Sequence, residues 1–333
     1  MRILVVGGAG YIGSHMTRLL LDEGHEAIVI DNLSSGHRDA VPVKTFIKAD
    51  LGQRVLLDTI LSGRRFDGVM HFASSIEVGE SVSNPSKYYA NNVANTLGLL
   101  DAMLKRGLTR MIFSSSAAIF GEPRYLPIDE IHPRAAVNPY GRTKWMVEQI
   151  LADYERAYGL RHISLRYFNA AGAHPSGTLG ERHHPETHLI PLVLQAAAGR
   201  LEQVRVFGSD YDTPDGTCVR DYIHIMDLCR AHLLAMEYLV DGGRSRAYNL
   251  GNGNGFSVRQ VIETARQVTG NPVPVEECAR REGDPARLVA DSTLARRELG
   301  WRPQFPDLET IIDHAWAFEC ARHGRLAHSA MRR

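Results

Sequence analysis

Short apolar runs rich in β-branched residues recur through the first half of the chain: Ile3-Leu4-Val5-Val6, Ala27-Ile28-Val29-Ile30, Gly68-Val69-Met70-His71-Phe72, Met111-Ile112-Phe113 and Ile163-Ser164-Leu165-Arg166. Between them lie helix-length stretches at 13–22, 85–106 and 140–158, each ending near a glycine, as helix C-termini often do. Nearly continuous apolar strands alternating with helices predict a parallel sheet covered on both faces. The expected class is therefore α/β, a doubly wound, Rossmann-like sheet.

After Asn169 the texture changes, and Gly, Pro, His and polar residues crowd 172–188 ahead of the apolar 189–198. A domain boundary is placed there, giving 1–170 and a smaller α/β domain at 171–333, with some later segments returning to the first. Strands at 204–207 and 247–250 and helices at 258–270 and 308–323 are assigned to the smaller part. The tail beyond Arg322 is expected to fray.

With 333 residues and 44% hydrophobic content, a sizeable core can be buried. Lys plus Arg equal Asp plus Glu at 38 each, so no net field draws the chain to nucleic acid or an anionic membrane. Cys218, Cys229, Cys278 and Cys320 lack the paired spacing of a zinc or redox motif, which suggests reduced thiols. The first apolar run stops at Gly7, too short for a signal peptide or a membrane span, so a cytoplasmic location is expected.

The first strand runs into Gly7-Gly8-Ala9-Gly10-Tyr11-Ile12-Gly13 and then a helix. Glycines there permit a tight turn, and free amides at the helix start can hold a pyrophosphate. Asp31, 18 residues beyond Gly13, ends the next strand. Its carboxylate can take ribose hydroxyls and would repel a 2′-phosphate, favouring NAD, or it can simply cap the following loop. Asp50, after another short apolar segment, suits either adenine or an ordinary turn.

Tyr140 and Lys144 stand four residues apart, on one face of a helix that Asn138-Pro139 can start. A neighbouring ammonium and an oxidised nicotinamide would favour the phenolate of a tyrosine whose ordinary pKa is about 10. Ser116 follows the strand at 111–113, where open α/β sheets place ligands, and is a candidate hydrogen-bonding partner for a reacting hydroxyl. His183, His184 and His188 invite a metal reading, but Pro185 disfavours the helix that would converge them, and no metal is expected.

Gly-Gly-Ala-Gly-Tyr-Ile-Gly-Ser-His at 7–15, Asp31-Asn32-Leu33, Val78-Gly79-Glu80-Ser81, Asn138-Pro139-Tyr140-Gly141 and Arg166-Tyr167-Phe168-Asn169 resemble the UDP-glucose 4-epimerase family. Val219 to His224 and Arg280-Arg281-Glu282-Gly283-Asp284 extend the resemblance to about Ala317. The resemblance implies an NAD-binding first domain and a UDP-sugar-binding second one. Tyr140 would be the base, Ser116 its helper and Lys144 the cation that lowers the phenol's pKa. Gly7, Gly10, Tyr11, Ile12, Gly13, Asp31, Asn32, Asp50, Leu51, Phe72, Ala73, Ser74, Asn91 and Tyr167 would line the NAD site with Tyr140 and Lys144. Phe168, Asn169, His188, Leu189, Phe207, Arg220, Tyr222, Arg281, Asp284 and Leu288 would meet the sugar nucleotide with Ser116 and Tyr140, the arginines neutralising its diphosphate and Asp284 taking the uridine ribose.

In the implied reaction Tyr140 takes the proton of the sugar's 4-hydroxyl while carbon 4 gives hydride to NAD, and the 4-keto sugar turns over before hydride returns. UDP-glucose and UDP-galactose are the expected pair. Leu288 stands where relatives confined to unacetylated sugars tend to carry tyrosine, so N-acetylated sugars are expected to fit too. A UDP-pentose epimerase is an alternative. Dehydratases and decarboxylases of this fold carry an acid just after the catalytic serine region, where Ala117 and Ala118 stand here. A non-catalytic NAD-binding sensor is opposed by the intact Ser116, Tyr140 and Lys144. Ser75-Ile76-Glu77 also departs from relatives that carry a lysine there. A homodimer through 85–106 and 140–158 is implied as well.

Overall fold

The structure, a computed structural model, describes residues 1–42, 44, 46–281 and 283–330. Glu282 of the Arg280–Asp284 motif, and 331–333 of the tail, lie outside the described residues.

The strands of the larger sheet are β1 (Arg2–Val6), β2 (Glu26–Asp31), β3 (Phe46–Lys48), β4 (Gly68–His71), β5 (Arg110–Ser116), β6 (Arg161–Tyr167) and, further on, β11 (Arg246–Leu250). They lie side by side in the order β3-β2-β1-β4-β5-β6-β11, every pair parallel. Strand order reverses direction at β1 and β4, which opens a crevice at their carboxyl ends. The glycine loop after β1 and the Phe72–Ser74 segment after β4 therefore meet.

Helices α1 (Tyr11–Asp22) and α8 (Ile225–Val240) cover one face, burying Met16, Leu20, Leu228, Leu233 and Met236 against Ile3, Val5, Ile112 and Ile163. The other face carries α2 (Arg54–Ser62), α5 (Asn95–Lys105) and α6 (Pro139–Tyr158), with Leu57, Leu99, Met103, Val147 and Leu151 on Leu4, Val69 and Phe113. The expected helix at 85–106 is assembled from α4 (Pro85–Tyr88), a π-helical turn (Tyr89–Ala94) and α5, preceded by α3 (Val78–Ser83).

The remaining elements are short strands and helices beyond the carboxyl edge. These are β7 (Asn169–Ala171) paired with β10 (Tyr222–His224), β8 (Val204–Phe207) with β13 (Val275–Cys278), and β9 (Val219–Arg220) between β12 (Phe256–Ser257) and β14 (Arg287–Leu288). Helices α7 (Leu189–Ala197), α9 (Val258–Thr269) and α11 (Leu308–Ala330) share a second core of Ile190, Val193, Val261, Ile262, Ile311 and Ile312. Helix α10 (Thr293–Leu299) packs back on α8.

Two expectations are corrected and one helix is added. The strand at 247–250 belongs to the large sheet, not the smaller part: β11 runs parallel to β6 from Arg246↔Ile163 to Leu250↔Tyr167. Its alternation fits any half-buried strand, and only the distant partner decides. Helix α8 was not expected from the sequence, and its buried stripe includes Asp227 and His232, polar residues that interrupt the apolar period. The chain beyond Arg322 continues α11 through Ala330 instead of fraying. Among the described residues no helix is long and apolar enough to cross a membrane.

Candidate active site

The glycine loop is shaped by its neighbours. Gly7 has φ +80°, and a Cβ there would lie 2.5 Å from the Ala73 nitrogen, so only glycine lets the two crevice loops touch. Phe72 N–H donates to the Val6 carbonyl at 2.7 Å, fixing that approach. Gly10 precedes α1, and no described side chain caps the helix or places an acid in its first turn. The amides of Tyr11, Ile12 and Gly13 thus begin a helix whose dipole favours an anion.

Asp31 is buried at the end of β2. One oxygen accepts the Ala9 N–H at 2.9 Å and the other the Leu33 N–H at 2.7 Å. The loop-capping role is real, and it also ties the acid to the glycine loop. Asp50 accepts from Asn32 Nδ2 at 2.6 Å and from the Gly52 N–H at 2.7 Å, the ordinary turn geometry, beside buried Leu51.

The catalytic candidates meet at the start of α6. Asn138 caps the helix by accepting the Gly141 N–H at 2.9 Å, and Pro139 opens it. Gly141 faces the turn Ala117–Ile119 so closely that a Cβ would lie 2.3 Å from the Ala118 carbonyl oxygen. This contact brings Tyr140 beside Ser116, the last residue of β5, whose hydroxyl accepts the Ala118 N–H at 3.1 Å. Lys144, one turn on and 2% exposed, donates from Nζ to Ser74 Oγ at 2.8 Å and to the Ser114 carbonyl at 2.6 Å. Tyr167 bonds Ser114 Oγ.

Electrostatics here run against one expectation. Burial raises the Tyr140 phenol above its ordinary value, and the neighbouring Ser116 hydroxyl opposes it only in part. Lys144 is itself pulled down to about 7 by burial, with Glu148 one turn further opposing. The protein's own groups therefore favour the neutral phenol, because desolvation disfavours both charged forms.

Asn91, expected in the NAD site, reaches Ser75 Oγ at 3.3 Å. The more deeply placed residue is Asn92, which the sequence reading missed. It accepts the Ser75 N–H at 2.8 Å and donates to the Ser75 carbonyl at 3.0 Å and Thr143 Oγ1 at 3.1 Å, joining the loop after β4 to α6. In the segment Ser75-Ile76-Glu77, Glu77 accepts from Thr187 Oγ1 at 3.1 Å.

The expected nucleotide end is built on β9. Arg220 lies opposite Leu288 in β14 and Phe256 in β12. Its guanidinium donates to Asp284 at 2.5 Å, and Arg281 lies over the Phe207 ring at 3.8 Å. Asn169 and buried Tyr222 are opposite one another in the β7–β10 pair. Phe168 and Leu288 pack on the same small cluster of Ala117, Ile119, Phe120 and Ile128, which joins this end to the strand carrying Ser116. Asp221, unremarked in the sequence, is fully buried and accepts the Asn252, Gly253 and Ala290 amides, holding the loops around β9 together. Leu189 opens α7. His188 is engaged by Glu181 and Glu186.

A doubly wound sheet with a glycine loop, a buried acid after the second strand and a Ser, Tyr and Lys cluster defines a nucleotide-dependent enzyme of the short-chain dehydrogenase/reductase kind. Residues 3–251 match the model of the NAD dependent epimerase/dehydratase family, and the chain belongs to that family. It is 53% identical over 316 residues to a protein of Halalkalibacterium halodurans named UDP-glucose 4-epimerase, covering 95% of each chain. The UDP-glucose 4-epimerase of Brucella ovis, solved with NAD, is 51% identical with a TM-score of 0.93, over 95% of this chain and 97% of that one. The enzyme of Bifidobacterium longum, solved with NAD+ and UDP, is 38% identical with a TM-score of 0.92, over 97% and 99%.

Proposed function

We propose that this chain interconverts UDP-sugars differing at carbon 4, with UDP-glucose and UDP-galactose as the working pair and NAD as the cofactor. The observation that carries the reading is the placing of Tyr140 beside Ser116, with Lys144 one turn away anchored on Ser74 of the loop after β4 and on the Ser114 carbonyl of β5. Strong sequence likeness to proteins named UDP-glucose 4-epimerase supports it.

Gly7, Gly10, Tyr11, Ile12 and Gly13 hold the pyrophosphate, Asp31 and Asn32 the adenosine ribose, and Asp50 and Leu51 border the adenine. Phe72, Ala73, Ser74, Asn91, Lys144 and Tyr167 line the nicotinamide half. Bound there, NAD would supply the reversible hydride acceptor for carbon 4 and a cationic ring favouring the phenolate that the protein alone disfavours. Tyr140 removes and returns the 4-hydroxyl proton, and Ser116 orients that hydroxyl. Lys144, held by Ser74 and the Ser114 carbonyl, adds positive charge beside the phenol.

Arg220, Arg281, Asp284, Phe207, Tyr222, Asn169, His188 and Leu189 grip the nucleotide, so the hexose near Phe168 and Leu288 can turn while UDP stays. The chain divides its labour at about residue 170, with α8 and β11 returning to the NAD-binding part. Ala117 and Ala118 leave no carboxyl for a dehydratase's proton transfers. Two chains pair through 85–106 and 140–158, and the cytoplasm is the working compartment.

The test is a 4-epimerisation assay over UDP-hexoses and UDP-pentoses with bound NAD measured alongside. Turnover of UDP-glucose supports the proposal. A protein that binds NAD and UDP but converts no sugar in the panel is a binding protein instead.

A further inference from the structure

Segment 181–188 is a strap across the cofactor half. The Arg182 carbonyl lies 2.9 Å from His37 Nε2, the Arg182 guanidinium forks onto Asp39 at 2.8 Å, and Thr187 reaches Glu77. Within the strap the bend at 184–185 turns four side chains inward: Glu181, His183, Glu186 and His188. His184, between them, is exposed.

The inward atoms form a compact set. His188 Nδ1 lies 2.9 Å from Glu181 Oε1 and 3.1 Å from Glu186 Oε1, and His183 Nδ1 lies 3.2 and 3.7 Å from the same oxygens. Each residue has a donor atom within 4.8 Å of those of the others. Zinc bonds of about 2.0–2.2 Å to nitrogen and oxygen put the corners of a tetrahedron about 3.3–3.6 Å apart. The observed spacings bracket that value.

A second observation points the same way. His183 Nδ1 is fully shielded from solvent yet has no hydrogen-bond partner among the described residues, even though the Glu181 carboxylate is 3.2 Å away. Its geometry suits a shared centre better than a linear bond to one oxygen. The carboxylates are also pre-set: the side chains of Glu181 and Glu186 are 7% and 8% exposed, and Glu186 accepts the Thr187 and His188 amides at 2.9 and 3.0 Å. Carboxylates buried this deeply need a compensating positive charge.

We propose that Glu181, His183, Glu186 and His188 form a site for one divalent transition cation of the zinc class, bound through two imidazole nitrogens and two carboxylate oxygens. The cation fastens the strap on itself beside Tyr11 of the glycine loop, whose ring lies 6.4 Å from that of His183. The inference does not rest on the sugar reaction, although His188, whose Nδ1 faces the two carboxylates, is also placed at the nucleotide end. The sequence argues against a metal because Pro185 disfavours the helix that would converge the histidines. The bend achieves convergence without a helix and recruits the two glutamates.

The experiment uses the full chain with its NAD, free of any histidine tag and treated with chelator. Cobalt(II) is titrated in while the visible ligand-field bands are recorded, and zinc content is measured after dialysis against a small excess. One equivalent per chain, with bands of four-coordinate cobalt that zinc displaces, supports the site. His183→Ala and Glu186→Gln should each weaken binding by more than the ~10–100-fold that loss of an outer partner costs, whereas His184→Ala should bind as the parent does. A parent protein that takes up no cobalt overturns the proposal whatever the variants do. So does a thiolate charge-transfer band, which would place the metal on a cysteine, or binding that survives both ligand substitutions.

Discussion

Leu288 stands directly opposite Arg220 in the short parallel ladder between β14 and β9, and its side chain packs on the cluster beside Ser116. One residue therefore touches both the strand proposed to hold the diphosphate and the wall near the reacting carbon. Leu288→Tyr should narrow that wall. Turnover of UDP-N-acetylglucosamine should fall by about 10–200-fold, the range for a steric misfit of ~1–3 kcal/mol, while UDP-glucose turnover changes little. Parallel kinetics on the two sugars decide it, and complete inactivity of the parent on the acetylated sugar would refute the roomy pocket.

Tyr140→Phe removes the only atom of that side chain able to exchange a proton. The expected loss in turnover is about 10²–10⁴-fold, the usual share of a general base. Calorimetric binding of UDP should be unchanged, since the nucleotide residues lie elsewhere. Near-normal activity would take Tyr140 out of the chemistry.

Glu148 and Arg166 are both buried and joined by a forked ion pair, with bonds of 3.0 and 2.5 Å, and Ser115 Oγ also donates to Glu148 at 2.5 Å. Glu148→Ala would strand the guanidinium. A destabilisation of about 3–5 kcal/mol is expected, read as a lower urea midpoint at unchanged slope.

His15, His71 and His232 are buried, and burial lowers them to about 4, 3 and 4 from an ordinary 6.5. Between those values and about 6.5 the unfolded chain binds protons that the folded chain refuses. The share of stability that these three histidines contribute should thus be full above about pH 6.5 and decline as pH falls toward 4. His232→Leu should flatten the decline by on the order of 3 kcal/mol, and urea unfolding across pH would show it. An identical slope in that variant would contradict the assignment.

What the sequence made legible was local. The glycine loop, Asp31 and the Tyr140–Lys144 pair work through spacing along one strand, turn or helix, and the structure places each on the expected element. What it hid depends on distant partners. Nothing near Asn92 announces that its amide will join Ser75 to Thr143, and Asp221 serves amides 31 to 69 residues away. Strand β11 has the same alternation wherever it pairs, and the strap's four donors converge through a bend that no periodicity reports.

The most direct test of the central claim follows the hydrogen on carbon 4. UDP-glucose labelled with deuterium at that carbon is incubated with the purified chain, and the products are read by NMR and mass. Hydride lifted and returned within one closed site predicts UDP-galactose that keeps its deuterium at carbon 4. Label lost to water during inversion, or a sugar recovered with its configuration unchanged, would contradict the account.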